Sequence, residues 1–364
     1  MENVYKIGRI NIKISGDDPV IYSLQQELKP NKIENPKKID IEFIFCKHLD
    51  ALKNYTFYSP IFVNQFSYQA KHSGFQYQVS EKDEKIIVKI KPNKLNIKSR
   101  LKPKLLDWNY LSTTEKLAKN FMYDIFDYLT QICNLRKKQS YIHASSFEKN
   151  GKGIAIVAWG GIGKTTSLLK FIIEDGWRFL SDDLSIIDED GILYRSPKKM
   201  QIYAYNLIDQ PLIQKKLFSS RTFMDLIAWH LYYLKRGPKG VRRRISAEEL
   251  FGFDSVSSCA QLTNLFFIER TSSKNFSTHS ITNIELARRA SNTILKEMSP
   301  FCDIVQAMYS SEYSPILPAE SLLFENTFKI LSSAFSKVNP LLIKIPLDAG
   351  PNELANFLRK YINN

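Results

Sequence analysis

One short stretch carries most of the chemistry that this sequence offers. It reads Ala158-Trp-Gly-Gly-Ile-Gly163-Lys164-Thr165. A glycine-rich turn after a strand, closed by Lys and a hydroxyl residue at the start of a helix, turns successive backbone N–H groups toward a phosphate. The helix N-terminus adds partial positive charge. Gly160, Gly161, Ile162, Gly163, Lys164, Thr165 and Thr166 are therefore the candidate nucleotide-binding residues. Lys164 would reach the β- and γ-phosphates of ATP, and the Thr165 hydroxyl suits Mg²⁺, a hard cation that prefers oxygen. The pattern GxxxxGK[ST] begins with Gly, and Ala158 stands there instead, a replacement that a negative φ tolerates.

Asp182-Asp183 follows eighteen residues after Lys164, at the end of the next expected strand. Ligands of open α/β sheets bind at that edge. Two adjacent carboxylates repel, and a bound cation relieves the repulsion. One can hold metal while the other orients or deprotonates a hydroxyl. Neighbours on an extended chain point different ways, so the roles should divide, with Asp182 as the expected metal ligand and Asp183 as the expected base. The run DEDG at 188–191 reads as a solvated turn.

These residues need strands and helices to hold them. From 140, YIHASSFEKNGKGIAIVAWGG reads as two strands joined by a turn. The helix after the glycine loop carries the stripe Leu168, Leu169, Ile172 and Ile173, with Gly176 beyond its end. NLFFIER at 264–270 reads as a buried strand, and helices are expected near 220–235, 283–297, 319–335 and 351–362. Upstream, Ile10, Ile12 and Ile14, then Ile39, Ile41, Phe43 and Phe45, alternate as strands do. Phe75 to Val79, the turn EKDEK and IIVKIK form a hairpin signature. Residues 95–108 are basic and broken by Pro103. Ser112-Thr-Thr-Glu115 is a capping box that opens a helix in which Leu117, Phe121, Ile125 and Leu129 recur at i+4. The expected fold is α/β (α+β overall), in three parts: a β-rich domain over 1–112, a connecting helix over 113–138, and a phosphate-loop domain over 139–364.

Composition narrows the function classes. Lys and Arg number 51 against 37 Asp and Glu, a net charge of +14 that suits anionic partners. Cys46, Cys133, Cys259 and Cys302 lie far apart with no CxxC pair, so neither a metal knuckle nor a disulfide framework is expected. The N-terminus lacks the apolar core of a signal peptide, and no run approaches a membrane span. A cytoplasmic protein without a membrane partner is expected. No nucleic-acid-binding pattern is present, so DNA or RNA is not an expected partner. Oligomeric state is left open, self-association included.

The block IHASSFEKNGKGIAIVAWGGIGKTTSLLKFIIEDGWRFLSDDLSII resembles the HPr kinase/phosphorylase-like family, in the style of its compact peptide and lasso-peptide serine kinases. More distantly, ATP-dependent phosphoenolpyruvate carboxykinase shares a similar GKTT and DD arrangement. The likeness is strong over about 141–200 and weaker through RRRISAEELF and NLFFIER. It implies ATP, Mg²⁺ and transfer of the γ-phosphate to a hydroxyl, chiefly serine of a peptide or protein. It also gives His143 a place beside the reacting phosphate, where the residue alone would read as a core histidine. An arginine-bearing loop near the site makes Arg242, Arg243 and Arg244 candidates for phosphate or substrate, with Arg195, Lys198 and Lys199 as lesser ones. Ala158, and Thr166 after Thr165, depart from the family pattern and count against HPr itself as acceptor. Two other readings stay open: a kinase for a small hydroxyl compound such as free serine, and a nucleotide-binding switch without transfer.

Overall fold

The computed structural model describes residues 2–93, 103–219 and 221–362; most of the basic stretch expected over 95–108 lies outside them. Contacts group the chain into two units. The first comprises Met1–Lys104, Leu111–Lys138 and Leu295–Thr327; the second comprises Leu105–Tyr110, Gln139–Ile294 and Phe328–Asn364. Both mix helices with sheet, an α/β fold.

In the first unit, nine strands form one sheet. Its order is Lys32–Ile33, Glu2–Ile7, Ile10–Gly16, Ile41–Phe45, Lys85–Pro92, Phe75–Lys82, Ser67–His72, Ile61–Val63 and Thr56–Tyr58. The alternating isoleucines and phenylalanines cause this arrangement. Ile10, Ile12, Ile14, Ile41, Phe43 and Phe45 are all buried, on the face that period-two geometry assigns to them. Ile10–Gly16 and Ile41–Phe45 pair in parallel, and the helix Pro19–Leu28 lies between them in sequence, capped by Asp18.

The expected capping box is present: the Ser112 hydroxyl accepts from the Glu115 N–H, and the Glu115 carboxylate accepts from the Ser112 N–H. The helix it opens is not a connector. Phe121 and Phe126 pack on Phe43 with ring centres 5.1 and 5.5 Å away, so its apolar stripe belongs to the core of the first unit. Nor is it regular. Thr113–Phe121 and Asp127–Arg136 are α-helical, but Met122–Phe126 is a π segment in which the Asp127 N–H reaches Met122 O.

The second unit is built on an eight-stranded sheet. Gln139–Lys149 and Lys152–Ala158 form the expected hairpin. Lys152–Ala158 also pairs in parallel with Cys259–Thr271, while Gln139–Lys149 pairs with Leu184–Asp188, which leads through Ile192–Tyr194 back to Cys259–Thr271. Five strands thereby close a ring. Arg178–Ser181 lies along Gln139–Lys149, and Leu341–Pro346 and Ser277–Ser280 extend the sheet.

Alternation along Lys152–Ala158 feeds two cores. Ile154, Ile156 and Ala158 join Leu168 and Phe171 of the helix Lys164–Asp175 and Leu354 and Leu358 near the C-terminus. Ala155 and Val157 join Leu286 and Ala290 of Asn283–Glu297 and Leu331 and Phe335 of Glu320–Phe335. Apolar residues on both faces explain the continuous apolar run IAIVA. At 188–191 the chain does turn, but Asp188 is buried rather than solvated. Its carboxylate accepts from the N–H groups of Asp190 and Ile192 and from the Tyr194 hydroxyl.

Candidate functional site

The strand Lys152–Ala158 runs straight into the glycine loop, and Lys164 begins the next helix. Gly161 and Gly163 take φ of 75° and 109°, which a side chain resists. Ala158 is still on the strand, opposite Ile268, and needs no such freedom. The departure from the glycine pattern therefore falls where glycine is not required.

Lys164 is buried and curls toward its own loop. Its ammonium donates to Ala158 O at 2.7 Å and Trp159 O at 3.0 Å, and it lies 3.3 Å from His143 Nε2. Thr165 is positioned by the first helical turn, and its hydroxyl reaches Asp182 Oδ2 at 2.9 Å and Oδ1 at 3.1 Å. Ser145 Oγ donates to the same carboxylate at 2.5 Å. Burial, and then the charge of Asp183, push the Asp182 carboxyl above the usual aspartate range; the Ser145 and Thr165 hydrogen bonds and Lys164 pull it back. Two hard-oxygen side chains, Thr165 and Asp182, thus stand side by side at a helix N-terminus. A Mg²⁺ ion shared with substrate phosphates requires no more protein ligands than these. Among the described residues, no cluster of three or more His, Cys, Asp or Glu forms a self-sufficient metal cage.

Asp183 is placed differently. Its φ of 77° is left-handed, a conformation rare outside glycine though Asp tolerates it better than most residues. Such strain persists only where surrounding structure enforces it. Here the Ala144 N–H donates to Asp183 O at 3.1 Å and ties the turn to the neighbouring strand. The side chain is half exposed. Its Oδ1 lies 3.5 Å from His143 Nε2, and its Oδ2 lies 3.9 Å from Lys198 Nζ.

His143 is buried on the strand Gln139–Lys149, between Lys164 and Asp183. Burial and the Lys164 charge lower its pKa to about 4, against the opposing pull of Asp183. The ring is therefore neutral near pH 7. One atom, Nε2, faces both neighbours: neutral, it accepts from the Lys164 ammonium; protonated, it would donate to Asp183 instead.

The three arginines separate. Arg242–Ile245 is a strand paired with Met200–Tyr203, not the open loop expected there, so successive residues face opposite ways. Arg243 is fully buried; its Nε donates to Asp225 Oδ1 at 2.6 Å and its Nη1 to Trp108 O at 3.1 Å. That side chain has no access to a substrate. Arg244 contributes its carbonyl to Arg221. Arg242 lies over Trp108 and Tyr203, 5.3 and 5.2 Å from the ring centres, and donates to the Tyr203 hydroxyl. Tyr203 stacks on Tyr205 at 5.2 Å. Tyr205 is pushed up to about 12 by burial, by Tyr203 and by the charge of Asp182. Arg242 is thus the member of the triplet linked to the aspartate pair. Arg195 pairs with Glu248 and is structural.

Thr166 also differs from expectation. Its buried hydroxyl accepts from Asn206 Nδ2 at 2.8 Å, so the side chain locks the Tyr203–Asn206 turn to the helix. Trp159 is 50% exposed on the loop. Ser145, Tyr203, Tyr205 and Asn206 were not singled out from sequence. Ser145 was within reach, since it follows His143 by two residues on one strand and so shares its face. The others depend on how distant segments pair, which no local pattern encodes.

No protein-family model matches the chain, and no curated protein matches it. Among solved structures, the HPr(Ser) kinase/phosphatase from Coxiella burnetii is similar at 12% identity and a TM-score of 0.28, over 61% of this chain and 95% of that one. At that level the chemistry must be read from this chain's own residues. No helix among the described residues is long and apolar enough to cross a membrane.

Proposed function

We propose that this chain is a phosphotransferase that uses ATP and Mg²⁺ to phosphorylate a hydroxyl, with serine of a peptide or protein as acceptor. The observation that carries the reading is the different placement of the two adjacent aspartates. Asp182 is held by Ser145 and Thr165 beside the glycine loop, while Asp183 stands apart, half exposed, between His143 and Lys198. A site for nucleotide binding alone has no use for the second carboxylate.

In this reading, Gly160–Thr166 receive the phosphates, and the Lys164 ammonium offsets charge on the β- and γ-groups. Thr165 and Asp182 would hold Mg²⁺, which when bound would supply positive charge against the phosphates. Asp183 takes the proton of the acceptor hydroxyl as its oxygen bonds to the γ-phosphorus; the bond to the bridging oxygen breaks and its electron pair leaves with the diphosphate. Lys198 orients the Asp183 carboxylate. Neutral His143 keeps its proton-accepting nitrogen toward Lys164 and does not compete for Asp183. Arg242, flat against Trp108 and Tyr203, directs its remaining donors at an anionic group of the acceptor.

The test is incubation with labelled ATP and size-fractionated acceptors, with mass spectrometry to locate the phosphate. Phosphoserine on a peptide or protein is the expected product. Label confined to small metabolites would replace the acceptor class, and nucleotide binding without transfer to any fraction would overturn the phosphotransferase reading.

A further inference from the structure

The first unit contains a cavity of about 370 Å³ that phosphotransfer leaves unused. All its lining residues belong to that unit, whereas the glycine loop belongs to the second. The walls come from the turn after Thr56–Tyr58, the end of Ser67–His72, the π segment and Pro300–Ser310. Tyr58 pins one wall by donating to Ser310 O at 2.6 Å, and Phe301 stacks on Tyr128 at 5.1 Å.

Two polar groups in the lining are left unsatisfied. Tyr77 is 1% exposed, with its ring packed against Tyr68, yet its hydroxyl makes no hydrogen bond among the described residues. Asp124 is half-buried, and its carboxylate has neither hydrogen bond nor ion pair among the described residues. It is electrostatically coupled to Tyr77, whose phenol burial keeps protonated far above neutral pH. Asp124 sits in the π segment Met122–Phe126, and single π turns inside α-helices are concentrated at functional sites.

The remaining charges are of both signs. Asp303 joins Asp124 from the helix Cys302–Tyr309, while Lys71 and His72 come from the strand end. Ile61, Ala70 and Ala307 give an apolar floor. Ligand cavities run from about 300 to 1,000 Å³, so this one is at the small end and suits something much smaller than a nucleotide.

We propose that this cavity binds a small zwitterion of the α-amino-acid type, with its ammonium on Asp124, Asp303 and the Tyr77 oxygen and its carboxylate toward Lys71 and His72. An ammonium carries three donors, enough to satisfy Asp124 and Tyr77 together. The mixed lining disfavours a simple anion, which the two carboxylates repel, and a simple cation, which leaves Lys71 and His72 unmatched.

The experiment is calorimetric titration of the full chain with free proteinogenic amino acids at up to millimolar concentration, each beside its N-acetyl and its amide derivative. One or more free amino acids should bind. N-acetylation, Asp124→Asn and Tyr77→Phe should each weaken binding at least about tenfold. Lys71→Gln, on the exposed wall and harmless to folding, should weaken the free acid but not the amide, and it keeps the test decisive if Asp124→Asn fails to fold. Nucleotide binding by the glycine loop should be unchanged in Lys71→Gln, so failure here is distinct from failure of the phosphotransferase reading. No binding by any free amino acid, or equal binding by Lys71→Gln and by the N-acetyl compounds, overturns the proposal.

Discussion

Two aspartates in the second unit show what separates a carboxylate committed to the fold from one left open to a new partner. Asp225 is 1% exposed and saturated: Arg243 donates to it at 2.6 Å and Arg221 at 2.7 Å, inside a helix capped by Thr222. Asp183 is half exposed, held at a strained φ of 77°, and meets neutral His143 and cationic Lys198 only at 3.5 and 3.9 Å. The first has no capacity left for a new partner. The second retains acceptor capacity on both oxygens and access to solvent, at the cost of backbone strain. Charge and residue type are the same in both; packing decides the role.

The comparison breaks most visibly at Asp225. Asp225→Ala leaves the Arg243 guanidinium buried and unpaired, which should cost about 3–5 kcal/mol in denaturant unfolding. Adding Arg243→Met should recover most of that loss. A small effect of Asp225→Ala on unfolding would mean the pair is not structural.

Asp183→Asn should show the reverse profile. Asn also tolerates a left-handed φ, so the melting temperature should hardly move. Transfer of labelled phosphate should fall at least about 10²-fold, the lower range for a general base. Near-normal turnover in that variant would remove Asp183 from the chemistry.

His143 allows a sharper test through pH. Its folded pKa of about 4 lies below the ordinary histidine value of 6.5. The unfolded chain therefore binds the proton more readily, and stability present above pH 6.5 is lost as pH falls toward 4. The loss is at most about 3.5 kcal/mol, from the roughly 1.4 kcal/mol that each unit represents. Asp182, shifted upward, acts with opposite sign, so the measurement is a comparison with His143→Gln. That variant should flatten the acid limb of the stability profile; an identical limb in both proteins would contradict a neutral buried His143.

The smallest expected effect is at Arg242. Arg242→Gln should raise the KM for an acidic acceptor by about tenfold and leave a neutral acceptor nearly unaffected, because one charge-assisted hydrogen bond is lost. Equal effects on both acceptors would assign Arg242 to the turn rather than to the substrate.

Legibility from sequence followed the range of the interactions. The glycine loop, its helix and the Asp182-Asp183 strand end depend on local dihedrals and short periods, and all were readable. The three arginines were read as one basic run, although period-two alternation already sets Arg243 apart from its neighbours. The grouping of 295–327 with the first unit was not readable, because its apolar residues match either core equally well. Tyr205 was missed for the same reason. Nothing in YAYNL shows that Asn206 will bond Thr166, forty residues earlier, and bring the ring within reach of Asp182.

The ring of five strands bears on how the site moves. Because Lys152–Ala158 is bonded along both edges, its amides alternate between two ladders inside the sheet. Opening of such a strand approaches the free energy of global unfolding. Hydrogen exchange should therefore be slow up to Ala158, fast over Trp159–Gly163 and slow again within the helix Lys164–Asp175. The glycine loop would then flex as a short hinged flap on a base that does not breathe.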